Sequence, residues 1–285
     1  MGNTPTKDKL HFYVTVAIFT LLALWWVYIQ VLKIGGATDF DLKGQTFAAS
    51  YGFMALWGGF VALVVSKKWG FLSSLFGRSL LAFAVGLLLQ EFGQISYSFY
   101  IYFMKIEIPY PSVGDIGYFG SIFFYIYGAF LLLKLLSTGI RSRGLAEKVL
   151  VVISPLILLA VSYFLLLRGH EFAPGESLRN ALDVGYPLFQ CVYVSLAFAT
   201  LVLFSSKSGG FLKKGVLMIL VALIFQYVAD FTFLFKAGKG TYYAGGPVDF
   251  LYLVAYFLMT VAIIELDLVF ERLKNGKITN GGTVT

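Results

Sequence analysis

The sequence predicts an all-α integral membrane protein of eight transmembrane helices, and three observations lead to it. The first is composition. Of 285 residues, 59% are hydrophobic and only 13% charged, whereas soluble domains run about 45–50% apolar and about 25% charged. The second is a set of eight apolar runs, near 10–34, 45–66, 79–104, 114–137, 148–167, 181–205, 215–236 and 248–270. Each is long enough for a bilayer core that takes about 20 residues of helix. The third is the placement of basic residues. With the N-terminus inside, 15 of the 22 Lys and Arg fall on inner segments and 7 on outer ones, so the positive-inside rule puts both termini in the cytoplasm. The same asymmetry explains the net charge of +7 without a nucleic-acid partner; the expected partner is the lipid bilayer.

Taken in order, the first run spans 25 residues and lacks an Ala-x-Ala exit, which reads as a retained span rather than a cleaved signal. Together with the third and eighth it is among the longest, and such spans tilt or project. The second contains Gly58-Gly59, small residues that let helices approach closely. Gln90-Glu91-Phe92-Gly93-Gln94 lies within the third, and Pro109-Tyr110-Pro111-Ser112-Val113-Gly114-Asp115 leads into the fourth, where Gly117 and Gly120 again allow close approach. Pro155 and Pro187 are positioned to kink the fifth and sixth. The seventh holds Gln226-Tyr227-Val228-Ala229-Asp230, and Gly246-Pro247 opens the eighth. No loop is large enough for a separate domain, so residues 1–272 form one transmembrane unit and 273–285 a polar tail.

An internal repeat divides that unit. An offset of 134 places Asp115 and Tyr118 on Asp249 and Tyr252, and an offset of 132 places Gln94 on Gln226 and Phe99 on Phe231. Residues 1–140 and 141–272 would then be two four-helix halves. Four is even, so the halves run in the same direction about an axis along the membrane normal.

Asp-x-x-Tyr occurs three times, at Asp115/Tyr118, Asp183/Tyr186 and Asp249/Tyr252, each at the outer mouth of a span. Two readings stand. Ser112, Asn180 and Gly246 each precede their Asp by three, the spacing of a helix cap with an acid at the third position. That acid also complements the positive end of the helix dipole. Alternatively, the three Asp–Tyr pairs ring one outward-facing cavity.

Glu91 and Asp230 are different, because both lie deep in their spans and neither is near a helix start. An acid at the bilayer centre costs at least about 2.5–3.5 kcal/mol, so it faces the bundle and finds a partner. Gln94 shares the face of Glu91, and Gln226 that of Asp230. These faces would oppose each other across the pseudo-axis, either as an interhelical hydrogen-bond clamp or as a functional pocket. No basic residue lies at matching depth.

Several chemistries are excluded. The lone Cys191 permits no intrachain disulfide, and His11 and His170, both near span ends, do not suggest a haem or zinc site, so no metal or cofactor is expected. No phosphate loop, Ser–His–Asp set or His-Glu-x-x-His motif is present, which argues against an enzyme. A retinal receptor needs a mid-membrane Lys, and Lys236 is too near a span end.

Pro111-Ser112-x-x-Asp115-x-x-Tyr118-Phe119, with Asp183-x-x-Tyr186-Pro187 and Asp249-x-x-Tyr252-Leu253, resembles the multi-helix membrane modules found N-terminal to bacterial diguanylate cyclases and histidine kinases. In those modules a Pro-Ser-x-Ala-Asp-x-x-Tyr-Leu phrase opens one span and Asp-x-x-Tyr-Pro another; Gly114 stands here where Ala is usual. The resemblance covers roughly residues 80–270. It implies a sensing-type helical module of the bacterial inner membrane, here expected without an output domain and with an unknown small ligand. Glu265, Asp267, Glu271, Arg272 and Lys274 extend the last helix beyond the membrane, as a solvated end or as a contact for a protein partner. Three readings follow: a sensor or receptor-like module, a small proton- or cation-coupled secondary transporter, and a structural membrane subunit.

Overall fold

The structure is a computed structural model and describes residues 6–34, 40–136, 144–169, 172–204 and 212–276. His170, Arg141, Arg143, Lys207, Lys277, the junction between the two halves and most of the polar tail lie outside the described residues. Within them the chain is helices joined by short loops, with no strand. Helix α1 covers Thr6–Ile34, α2 Phe40–Ser50, α3 Phe53–Lys68, α4 Leu75–Ser98, α5 Gly114–Leu136, α6 Leu145–Ser162, α7 Ser177–Phe204, α8 Lys213–Gly238 and α9 Pro247–Lys274. Helices α2 and α3 share one span, broken at Tyr51-Gly52, so the described residues hold eight helical stretches long and apolar enough to cross a membrane. Their limits follow the eight apolar runs closely.

Local chemistry sets the helix ends. Ser74 caps α4 by accepting from the Gly77 N–H at 2.8 Å, which satisfies one of the donors a helix start leaves open. At the end of α3, Phe71 N–H reaches back to Ser66 O and Gly70 N–H to Lys67 O, 2.8 and 3.2 Å. This is the paired closure that requires a left-handed residue, supplied by Gly70 at φ 94°. The C-terminal turns of α4 and α6 widen into π-turns at Phe99–Met104 and Tyr163–Leu167.

Lipid is as apolar as leucine, so these helices are held by close packing rather than by hydrophobic drive. The sequence provides for this with glycine. A Cβ on Gly93 would enter the ring of Tyr118, one on Gly86 the ring of Tyr125, and one on Gly117 the Leu89 carbonyl. Thus α4 and α5 lie backbone against ring and backbone against backbone.

The helix pairings correspond under the offset of the repeat. Helix α4 packs on α5 as α8 does on α9; α3 packs on α4 as α7 does on α8; and α5 packs on α7 as α9 does on α3. Helices α1 and α6 lie outside this core, against α2/α3 and α7 respectively, and α1 adds a face on α9 that α6 does not match on α5. Their hydrophobic windows are only 17% and 6% buried, which leaves them facing lipid.

At the C-terminal end of α9 the described residues are tied together by ion pairs and ring contacts. Lys68 Nζ lies 2.7 Å from Asp267 and 2.8 Å from Glu271. Trp69 packs edge-on against Phe76 and Phe270, 4.8 and 5.3 Å between ring centroids, and Lys214 reaches Glu265 at 3.1 Å. The solvated end expected of the last helix holds for Arg272 and Lys274, which are exposed, and not for Asp267. Asp267 is buried, and the acids staple α9 to α3 and α8, because an acid one turn from the membrane is stabilised by the basic residues that end neighbouring spans.

Candidate functional site

At the opposite face the six core spans diverge around a cavity of about 910 Å3, lined by residues of α2, α4, α5, α7, α8 and α9 and by the loops at their ends. Eight of the ten residues singled out from sequence line it: Gln94, Asp115, Tyr118, Asp183, Tyr186, Asp230, Asp249 and Tyr252. Glu91 and Gln226 do not.

The first two Asp–Tyr phrases are joined to each other, and the third is tied to its own loop, with Tyr252 set beside Asp230. Asp115 accepts from its own Ser112 N–H at 2.7 Å, while Ser112 Oγ accepts from Gly114 N–H at 3.1 Å; this is the reciprocal cap expected from the spacing. Its second oxygen accepts from the Tyr186 hydroxyl of α7 at 2.7 Å. Asp249 accepts from Gly245 N–H at 2.6 Å and from the Tyr242 hydroxyl at 3.0 Å, so it caps α9 one residue earlier than its spacing suggests. The loop that offers Gly245 is pinned from α1, where Gln30 donates to Gly245 O at 2.8 Å and Trp26 to Gly246 O at 3.2 Å.

Asp183 is no cap. Helix α7 begins at Ser177, a turn earlier than expected, so Asp183 lies two turns in and Asn180 is spent on the preceding loop, bonding Ala173 in both directions at 2.8 and 3.0 Å. Asp183 instead accepts from Tyr110 at 2.8 Å and has Arg179 at 4.0 Å. Burial, followed by the neighbouring Asp183, pushes the Tyr110 phenol up from its usual range. Burial and the charge of Asp249 do the same to Tyr242. Both phenols are therefore held as donors.

Deeper in, Tyr118 donates to Gln94 Oε1 at 2.9 Å. Gln90 bridges two helices, donating to Ser121 at 2.8 Å and accepting from Tyr256 at 2.9 Å. Asp230 accepts from Tyr193 at 2.7 Å and Gln226 at 3.1 Å, and the Tyr252 phenol adjoins the same carboxyl. Hence Gln226 is a support for Asp230, and the Tyr of the third phrase reaches back one helix to the buried acid. Of the four residues foreseen as clamp or pocket, Gln94 and Asp230 both line the cavity and bond to a neighbouring helix.

Glu91 departs from the expected arrangement. It faces α3 at the helix break, where a Cβ on Gly52 would strike its Oε2 and the side chain of Gln94. Glu91 Oε2 and Gln94 Nε2 are buried without a hydrogen-bond partner. The reason is register. Gln94 and Gln226 correspond in the repeat, but Glu91 lies three residues before Gln94 and Asp230 four after Gln226, so the two acids do not occupy equivalent positions.

Two lining residues carry little mark in the sequence. Gln190 and Tyr256 look like packing, as isolated polar or aromatic residues in apolar runs do; Tyr256 is four after Tyr252, and that face spacing is the available signal. Tyr51, Tyr252 and Tyr256 stand nearly parallel, with ring planes 4–28° apart and centroids 6.0–6.2 Å apart. No family model matches the chain, and comparison with curated proteins and with solved structures finds no match for it.

Proposed function

We propose that the protein is a receptor-like multi-pass membrane module that binds a small ligand in the Asp–Tyr cavity, with that face outside a bacterial inner membrane. The observation behind this reading is the cavity itself. Its volume of about 910 Å3 is within the range of about 300–1,000 Å3 that small-molecule sites occupy, and polar groups from five helices converge on it. A subunit that only clamps helices has no use for such a space. The ion pairs and ring contacts at the opposite face support a receptor over an open conduit, and the Lys68–Asp267 staple would link movement of α9 to α3. The orientation rests on the distribution of Lys and Arg, and the sensing role on the resemblance to membrane modules of bacterial signalling proteins.

Ala48, buried on α2, lines the cavity. A library of small metabolites should contain compounds that raise the thermal stability of the detergent-solubilised chain, and Ala48→Leu should abolish those shifts. If shifts persist in Ala48→Leu, the ligands bind elsewhere and this reading fails.

One observation favours a second reading. A span broken at Tyr51-Gly52 beside a buried, unpartnered carboxylate is the kind of feature that holds a coupling ion in secondary carriers. A carrier would show proton- or sodium-dependent uptake in proteoliposomes that Glu91→Gln removes, and the receptor reading expects none.

A further inference from the structure

Charge along the cavity is separated by depth. Three basic side chains line it, Arg168, Arg179 and Lys239. All belong to helix ends: Arg168 follows the π-turn of α6, Arg179 is in the first turn of α7, and Lys239 follows α8. Asp230 is nine residues before Lys239, about 13 Å deeper at 1.5 Å of rise per residue. Among the described residues no Lys or Arg pairs with Asp230 or Asp249. The hydrogen-bond donors on Asp230 are neutral, the Tyr193 phenol and the Gln226 amide. A carboxylate offers about four lone-pair sites, so two donors leave room for another.

The surroundings of Asp230 are aromatic. Tyr252 adjoins it and belongs to the near-parallel set with Tyr51 and Tyr256, all three lining the cavity. Ammonium groups are favoured over the faces of tyrosine rings. A second, independent feature bears on the ligand. Gln94 lines the same cavity, is 2% exposed, and its Nε2 has no partner. An unmet buried donor costs about 1–3 kcal/mol, which an acceptor oxygen on a ligand would relieve.

We infer that the cavity binds a small organic cation, an amine or quaternary ammonium bearing a neutral acceptor oxygen, with its cationic group at Asp230 among Tyr51, Tyr252 and Tyr256 and its oxygen toward Gln94. This rests on the ligand-binding reading above and narrows it to a chemical class. The matched cation supplies the countercharge that the helices withhold. The rim basic residues disfavour cations only at the entrance, where solvent screens them.

The test is thermal stabilisation of the full-length chain by choline, ethanolamine and ethyltrimethylammonium, against the neutral isostere 3,3-dimethylbutan-1-ol and the anion 3,3-dimethylbutanoate at equal ionic strength. A saturable upward shift with at least one cation, and none with the alcohol, is expected. Asp230→Asn should weaken the cation at least about tenfold, and Gln94→Leu should erase any preference for choline over ethyltrimethylammonium. Should Asp230→Asn not fold, Tyr256→Leu takes its place, with the same weakening expected. The inference is overturned if no cation shifts the protein, if the alcohol shifts it equally, or if the cation shift survives both Asp230→Asn and Tyr256→Leu. If instead a neutral or anionic compound stabilises the chain and loses its effect in Ala48→Leu, ligand binding stands and the cationic class falls.

Discussion

Replacing Lys68 by Met removes one cation from beside Asp267, whose side chain is 3% exposed, while Lys68 itself is 27% exposed. Breaking one side of a buried pair costs about 3–5 kcal/mol, and an exposed pair contributes about 0–1. With one partner buried and the other partly screened, the expected loss is about 2 kcal/mol. Most of this penalty is the loss of a cation beside a buried carboxylate, so Asp267→Asn in the same background should recover part of it and give a coupling energy of about 1–2 kcal/mol. Glu271, whose side chain is 25% exposed, should give a smaller effect alone, weakened by salt. Unfolding of the solubilised chain, followed by helical circular dichroism for the single and double variants, reads these terms. A coupling below about 0.5 kcal/mol would refute the idea that a buried ion pair holds α9 to α3.

Three further perturbations probe the packing around the cavity. Gly93→Ala places a methyl group in the ring of Tyr118 and should cost about 1–3 kcal/mol through overpacking, read in the same unfolding assay; an unchanged protein would mean the α4–α5 approach is looser than described. Gly52→Ala should destabilise through collision with Glu91 and Gln94, and Glu91→Ala should partly rescue it, so additive losses would contradict their contact. Asp115→Ala should cost more than Tyr186→Phe, because it removes both the Ser112 cap and the Tyr186 bond; the hydroxyl alone accounts for about 0.5–1.5 kcal/mol. Equal losses would show that the cap adds nothing.

The spans were readable because a bilayer demands a single simple pattern, and the eight apolar runs meet it without interruption apart from Tyr51-Gly52. The Ser112–Asp115 cap was readable for the same reason: it is local. Asp183 shows the limit, since the same three-residue spacing from Asn180 lies inside a helix that had already begun at Ser177. Contacts between helices were harder. The pairing of Asp115 with Tyr186, and of Tyr252 with Asp230, joins residues 71 and 22 apart along the chain. Nothing in either phrase says which neighbour its Tyr will meet. Depth was legible for Glu91 and Asp230, but facing was not. A helix turns 100° per residue, and the small register difference within the repeat sends Glu91 toward Gly52 while Asp230 borders the cavity.

The most direct test of the central claim is whether water reaches Asp230 through the Asp–Tyr cavity. In a chain freed of its single native thiol by Cys191→Ser, one cysteine is introduced at Gln94, which lines the cavity, or at Val65, which is fully buried away from it. Both chains are exposed to a membrane-impermeant thiol reagent in proteoliposomes. The cavity predicts modification at position 94 from one face only and none at position 65. Equal inertness at both positions would show that the polar network is sealed inside dry protein, and the account of a ligand-binding cavity would be contradicted.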